Sequence, residues 1–254
     1  MFSSLDIGQW CILALGAFLI GLGKGGLPGV GNLTVATFAL VFPAKLSAGI
    51  LLPILICADL AAVYIYRKHA EWKYMWRLMP PTLVGLLIGY LLLDSISDRV
   101  VSVMIGAILL TMTGLHFYRK YLQQQKGTEE DKLPHSRSFV ITTGVAGGFA
   151  TMVANAAGPV AAMYLLAVGL PKYAFIGTSA WFFMIINWLK VPLQMHLGNI
   201  NGDTIGLSLV LGIPAVMGAF TAPKIVKHIK QKLFERIIWF FIILAGVRLL
   251  WDAF

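Results

Sequence analysis

Residues 21–31 read GLGKGGLPGVG and guide the prediction of the fold, because they are expected to interrupt a helix in the middle of an apolar segment. The chain on both sides is apolar, from residue 7 to residue 42, and glycine and proline at this density break helices. A second apolar segment, residues 138–169, is interrupted by the run GVAGGFATMVANAAGP at residues 144–159. Each broken segment predicts either a re-entrant hairpin or two short, tilted crossings.

The composition indicates that these segments lie in lipid. Of the 254 residues, 58% are hydrophobic and 12% are charged, whereas an average soluble domain is about 45–50% apolar and about 25% charged. The formal net charge of +9 comes from basic residues in short loops between apolar runs, without the aromatic interleaving of a nucleic-acid surface. We therefore predict an integral membrane protein whose partner is the lipid bilayer and which binds no nucleic acid.

Six further segments have the length and polarity of membrane-spanning helices, since about 20 apolar residues cross about 30 Å of hydrocarbon. These are Leu46–Tyr66, Leu78–Leu93, Val100–Tyr118, Tyr173–Leu189, Thr204–Thr221 and Leu233–Trp251. Together with the two broken segments they predict an all-α membrane fold of roughly eight to ten segments.

The order of segments predicts an internal repeat. A first half, residues 1–118, and a second half, residues 138–254, each contain a broken region followed by three spans, with a hydrophilic linker at 119–137. At an offset of 128 residues, several residues align between the halves. The aligned pairs are Gly16 with Gly144, Pro43 with Pro171, Gly49 with Gly177, and Asp59 with Asn187.

The distribution of Lys and Arg predicts that the two halves are inverted copies. Three stretches, residues 67–77, 119–137 and 224–236, hold 14 of the 20 basic residues. Short basic loops remain in the cytoplasm, and each pair of these loops is separated by an even number of predicted crossings. Both termini are then expected outside the cytoplasmic (inner) membrane. Inverted repeats are typical of secondary transporters that work by alternating access.

The two breaks predict an anion site. Irregular backbone at membrane depth persists only where protein buries it or where it lines a polar cavity, and breaks at corresponding positions of inverted halves are expected to meet near the midplane. Helices that restart at residues 28–31 and at Gly158–Pro159 direct free amides and positive dipole ends toward a ligand. Such helix starts favour a small anion.

Lys24 lies inside the first break and is a candidate anion ligand. A lysine in a membrane segment costs about 2.5–3.5 kcal/mol or more on insertion scales, so it is a functional candidate by default. The alternative is that its side chain snorkels to the membrane surface.

Asp59 lies well inside a predicted span, and its aligned residue Asn187 cannot titrate. Asp59 either carries a proton or cation that couples transport, or it is a structural partner for Lys24, for Lys45 or for a broken helix. Further along the span of Asn187, Lys190 and Gln194 either screen anions at an outer vestibule or, as we expect for Lys190, snorkel.

The glycine-rich run at residues 21–31, the stretch Ala154–Pro159 and the basic linker between two similar halves resemble the sulfite exporter TauE/SafE family of membrane permeases over almost the whole chain. The resemblance implies export of a sulfur-containing anion such as sulfite, a sulfonate or sulfoacetate. Alanines 154, 156 and 157 replace the dense glycine run in the second half, so the resemblance leaves the anion open. The predicted substrate-binding residues are Lys24, Gly25, Gly26, Pro28, Gly29, Asn32, Thr151, Asn155, Ala157, Gly158 and Pro159, with Asp59 and Asn187 as coupling candidates.

Two other functions compete with the permease. The same breaks also suit a passive anion channel. A membrane-embedded enzyme is less well supported, because the five histidines are scattered and form neither an i, i+4 pair nor a cluster with cysteine. We predict no catalytic residue, metal or cofactor, and the sequence leaves open whether the chain forms a homo-oligomer.

The predicted topology can be tested by cysteine labelling in intact cells. Cysteines introduced at Ser3 and Asn201 should react with an impermeant reagent from outside, and a cysteine at Gln124 should not, because the basic linker is expected in the cytoplasm. Outside labelling at Gln124 would overturn the inverted-repeat topology.

Overall fold

The computed structural model describes residues 5–27, 30, 38, 41–42, 44–93, 99–100, 103, 106–107, 110–111, 113–114, 117–118 and 136–251. These residues are predominantly helical, and no strand occurs among them. The prediction of an all-α membrane protein is confirmed, because five stretches within the described helices are long and apolar enough to cross a membrane. These five stretches are Ile7–Lys24, Gly49–His69, Trp72–Leu92, Lys172–His196 and Thr204–Val226.

Eight α-helices are described along the chain. They are α1 (Ile7–Lys24), α2 (Ala44–Tyr66), α3 (Trp72–Leu92), α4 (Arg137–Ala154), α5 (Ala157–Ala167), α6 (Lys172–His196), α7 (Gly202–Val226) and α8 (Gln231–Trp251). A 3₁₀ turn, Arg67–His69, extends the end of α2. The predicted span Val100–Tyr118 lies largely outside the described residues, and so does most of the linker at 119–137.

Both breaks begin later in the chain than predicted, and this corrects the sequence interpretation. Helix α1 continues through Gly21 and Gly23 to Lys24, and its 18 residues suffice for a crossing. Helix α4 likewise runs through Gly144 and Gly148 to Ala154. The second break therefore shrinks to residues 155–156, before α5 begins. Glycine disfavours a helix by about 1 kcal/mol relative to alanine, and close packing of these glycines offsets that cost.

The chain divides into two compact units. The first unit comprises Met1–Glu71 with Lys172–Gln231, and the second comprises Trp72–Pro171 with Lys232–Phe254. Each unit therefore combines residues from both halves of the sequence. The repeat boundaries at residues 118 and 138 stay a prediction, because a compact unit is defined by contacts and a repeat by sequence.

In the first unit, α1 and α2 both pack on α7. The backbones of α1 and α7 approach so closely that a Cβ atom on Gly21 would overlap the carbonyl of Ala215. Leu13, Ala17, Ile50 and Leu211 belong to the buried core that these helices share. The Ser208 hydroxyl of α7 donates to the carbonyl of Ile50 at 2.8 Å, so a polar group in this interface has its hydrogen bond.

In the second unit, α3 packs on α4 through pairs of glycines spaced four residues apart. Gly85 and Gly89 lie on α3, and Gly144 and Gly148 lie on α4. Small residues at this spacing let membrane helices approach closely, since lipid supplies no hydrophobic drive between them. A Cβ atom on Gly148 would overlap the carbonyl of Thr82.

Two adjacent glycines of α4 test this packing. Gly148→Ala should lower the thermal unfolding midpoint of the detergent-solubilised protein, because overpacking typically costs about 1–3 kcal/mol. Gly147→Ala is the matched control, because its Cβ would lie in ordinary contact, 3.5 Å from Val160 Cγ1. Equal midpoints for the two variants would contradict the packing role.

Candidate functional site

The first unit contains a cluster of buried polar side chains, which we call the charge cluster: Lys24, Asp59, Asn187 and Lys190. Lys24 ends α1, Asp59 lies in α2, and the other two lie on α6. The side chains of Asp59 and Lys190 are fully buried, and that of Lys24 is 16% exposed. Buried charges are costly unless they are paired and hydrogen-bonded, so the partners of each charged group show how the fold tolerates it.

The Asp59 carboxylate is the centre of the cluster. Its Oδ1 atom lies 2.8 Å from the Lys24 ammonium nitrogen, and its Oδ2 atom accepts a hydrogen bond from Asn187 Nδ2 at 2.6 Å. The Lys24 ammonium also lies 4.1 Å from the centroid of the Phe183 ring, a cation–π contact. Lys24 therefore does not snorkel to the membrane surface. It makes the contact with Asp59 that is expected of a structural partner. The coupling role of Asp59 stays a prediction.

One face of α6 contributes the remaining polar groups. Phe183, Asn187, Lys190 and Gln194 follow one another at spacings of four, three and four residues, which places them on one face of a helix. Lys190 follows Asn187 by three residues on this face, and Asn187 contacts Asp59.

The expectation that Lys190 snorkels is wrong, because its side chain is fully buried. Its neighbours Trp188 and Leu189 are exposed, and α6 packs on α2. Lys190 therefore lies on the protein-facing side of the helix. The sequence signal that identifies it is the shared face of Asn187, Lys190 and Gln194 in an otherwise apolar helix, which consideration of single residues does not reveal.

Asp59 and Asn187 contact each other at the repeat offset of 128 residues. Two residues related by a two-fold axis can touch only where both lie close to that axis. The helices that carry them begin at Ala44 and Lys172, which differ by the same offset. The contact is therefore consistent with a two-fold axis that relates the two halves and passes near these residues. The orientation of the halves in the membrane stays a prediction.

The end of α1 is held in place by its glycines. The Tyr66 hydroxyl donates to the carbonyl of Gly25 at 2.9 Å, and Gly26 has a φ of +121°, where a side chain is strained. A Cβ atom on Gly26 would also lie 2.7 Å from Ile176 Cδ1. A Cβ atom on Gly25 would lie 2.5 Å from the carbonyl oxygen of Ala219, so packing requires both glycines. Substrate contact at Gly25 and Gly26 stays a prediction. Three further predicted ligands lie outside the described residues: Pro28, Gly29 and Asn32.

The second break contains the other predicted ligands and belongs to the second unit. Asn155 adopts the left-handed conformation with φ 51° and ends α4, and its amide donates to the Thr151 carbonyl at 3.2 Å. The predicted helix restart is confirmed, since Ala157, Gly158 and Pro159 form the first turn of α5. Proline suits this turn because its missing N–H would have no helical partner there. Anion binding by these residues stays a prediction.

A comparison with protein-family models finds a match over residues 13–249 to the family described as Sulfite exporter TauE/SafE. The chain belongs to the TauE/SafE family. A comparison with curated proteins returned no match. Membership of TauE/SafE makes the chain a multi-pass membrane transporter of a family whose substrates are sulfur-containing anions. Among the described residues, no group of three or more His, Cys, Asp or Glu could hold a metal ion.

A double-mutant cycle tests the central ion pair. Asp59→Asn should destabilise the purified protein by about 3–5 kcal/mol, because loss of one partner leaves a buried charge uncompensated. Lys24→Met should also destabilise it, and the double variant should be more stable than the sum of the single effects predicts. Strictly additive shifts in the unfolding midpoint would show that Lys24 and Asp59 are not coupled.

Proposed function

We propose that this TauE/SafE protein is a permease that exports a small sulfur-containing anion, such as sulfite, a sulfonate or sulfoacetate, across the cytoplasmic membrane by alternating access. The observation that carries the proposal is the charge cluster, because a buried ion pair and a second, fully buried lysine are costly in membrane helices. In membrane proteins, ionisable residues at such depth mark substrate and ion pathways.

The chemistry of the cluster suits an anion. Lys24 supplies an ammonium at the end of α1, next to the glycine-rich break, and its side chain keeps some exposure. Three N–H donors on a flexible stem can hold the oxygen atoms of a sulfite or sulfonate group. Asp59 and Phe183 fix the position of this ammonium. The lysine is thereby pre-organised for a ligand instead of being ordered at the moment of binding.

Alternating access is supported by the contact between Asp59 and Asn187. In transporters with inverted repeats, the substrate site lies near the bilayer midplane at the repeat interface. The hydrogen bond between two aligned residues supports a repeat axis that passes beside α2 and α6. We accordingly place Asp59 and Asn187 near the midplane, with both termini outside.

Export follows from the charge of the substrate. In a cell that is negative inside, a potential of about 100 mV is worth about 2.3 kcal/mol per charge, or nearly fiftyfold in concentration for a monovalent anion. Efflux of an anion therefore needs no coupling ion. Uptake would oppose this force and would need protons or sodium, for which Asp59 is the carrier candidate.

Transport by purified protein in liposomes tests the proposal. Vesicles loaded with radiolabelled sulfite should lose it faster when the interior is made negative with potassium and valinomycin, and unlabelled sulfite outside should accelerate the loss by exchange. Loss without exchange stimulation would favour the passive channel. Chemical conversion of the sulfite would indicate an enzyme, and no loss above that of empty liposomes would refute transport of sulfite.

Lys24 variants test the ligand assignment. Lys24→Ala should weaken sulfite or sulfonate binding by at least about tenfold, since a hydrogen bond to a charged group is worth about 1.5–3 kcal/mol. Lys24→Arg should restore binding only in part, because guanidinium and ammonium groups differ in shape and hydration. Calorimetric titration of folded, monodisperse protein measures both. Unchanged affinity in Lys24→Ala would remove Lys24 from the site.

A further inference from the structure

The outward sides of α2 and α7 carry the same order of side chains. On α2 and the 3₁₀ turn after it, two apolar residues are followed by an arginine, and on α7 two apolar residues are followed by a lysine. The spacings of three and four residues place each set on one side of its helix. All six residues are exposed, and we call them the α2–α7 face: Leu60, Tyr64, Arg67, Met217, Phe220 and Lys224.

An aromatic pair joins the two helices on this face. The rings of Tyr64 and Phe220 have centroids 6.3 Å apart and an interplanar angle of 59°, and the two residues are nevertheless 63% and 47% exposed. Both lie within stretches that are long and apolar enough to cross a membrane. Tyr64 is two residues from the end of α2, and tyrosine is enriched where a span meets the membrane surface.

Two cations follow the aromatic pair, toward the ends of both helices. The guanidinium carbon of Arg67 is 5.3 Å from the centroid of the Tyr64 ring, a cation–π contact. Lys224 lies one turn beyond Phe220 on the same side of α7. Neither cation forms a salt bridge with a described residue, so both charges are available to an external anion.

Contacts of α6 show that the two cations belong to the same end of the first unit. The Lys172 ammonium, at the start of α6, donates to the carbonyls of Val226 and Ile229 at 2.9 and 2.7 Å. The adjacent Tyr173 ring stacks on the ring of Tyr66. The start of α6 thus joins the end of α2 to the end of α7. The basic residues of the sequence predict that this end lies in the cytoplasm.

We propose that the α2–α7 face binds an anionic phospholipid, with Arg67 and Lys224 holding the phosphate of its headgroup. The four apolar residues of the face contact the acyl chains. Along both helices the apolar residues lie within the span and the cation at its end, which is the order of acyl chain and phosphate in a phospholipid. A guanidinium group binds phosphate oxygens in a bidentate manner, and an ammonium group binds them as a point charge.

The unpaired charge of the face favours an anionic lipid over a zwitterionic one. Phosphatidylcholine has the same phosphate as phosphatidylglycerol, but its choline ammonium offsets the charge of that phosphate. Phosphatidylglycerol has no such offset and leaves the negative charge to the protein. Basic residues at the surface of a membrane attract anionic lipids for this reason.

Lipid titration of the delipidated, detergent-purified protein tests the site. Native mass spectrometry measures the affinity for the first phosphatidylglycerol or phosphatidylcholine molecule, with the same acyl chains in both lipids. The parent protein should bind phosphatidylglycerol at least about tenfold more tightly, since each nearby cation contributes about fivefold, equivalent to about 1 kcal/mol. Glycerol phosphate at the same concentration, which lacks acyl chains, should not displace the lipid.

Four variants divide the site into its parts. Arg67→Gln and Lys224→Gln should each lower the affinity for phosphatidylglycerol about fivefold, and the double variant about 25-fold, if the two effects add. Lys68→Gln is the matched control and should keep the parental affinity, because this exposed neighbour of Arg67 points in another direction. Tyr64→Phe should also keep it, because the variant keeps the ring that contacts Arg67 and Phe220.

The proposal is supported if the folded, monodisperse double variant loses the preference for phosphatidylglycerol while the Lys68→Gln protein keeps it. Equal affinities of the parent for the two lipids would overturn the proposal, and so would a preference that persists in the double variant. An equal loss in the Lys68→Gln protein would show that diffuse positive charge attracts the lipid, without a site on the α2–α7 face. Displacement of the lipid by glycerol phosphate would show a site for soluble phosphates and would contradict lipid binding.

Discussion

A carboxylate in the apolar interior of a membrane protein has to be held by charged and polar partners, and Asp59 meets this constraint with Lys24 and Asn187. These three residues lie on α1, α2 and α6, so a single set of contacts joins three helices. Loss of any one contact leaves a buried polar group without a hydrogen-bond partner, and the protein then bears the full desolvation penalty of that group. The position of the α1 end, and with it the start of the glycine-rich break, depends on this set of contacts and on the hydrogen bond from Tyr66 to Gly25.

Close helix packing accompanies these contacts. Small residues let the backbones of the first unit approach, as with Gly21 of α1 against Ala215 of α7. The second unit uses the same principle between α3 and α4, with Gly85 and Gly148 at the closest points. Glycines in this protein therefore allow close packing between helices, in addition to occurring in the breaks between helices.

Much of the fold could be predicted from the sequence, because membrane spans depend on local composition. The sequence predicted the spans that become α2, α3, α6 and α7, and the restart of a helix beside Pro159. It also identified Lys24 and Asp59 as ionisable residues inside apolar segments. The alignment of Asp59 with Asn187 was also visible, although their direct hydrogen bond required the three-dimensional structure.

Two features could not be predicted in this way. The breaks were predicted to begin too early because Gly21, Gly144 and Gly148 disfavour a helix locally, and only tertiary packing shows that they belong inside one. Lys190 was expected to snorkel because its sequence position does not reveal which face of α6 meets protein. Its spacing from Asn187 and Gln194 indicates a shared face, but the contact with α2 decides that the face is buried.

The central claim is that the anion is carried without a coupling ion, so that only the charge of the anion itself crosses the membrane, and the reversal potential tests this most directly. In proteoliposomes with a monovalent sulfonate tenfold more concentrated outside than inside, net flux should stop when the interior is at about −59 mV, the potential that balances a tenfold gradient of a monovalent ion. An imposed pH gradient should leave this value unchanged. A reversal potential that moves with the pH gradient would show proton coupling, and a net flux that does not respond to voltage would show electroneutral transport. Either result would contradict the account.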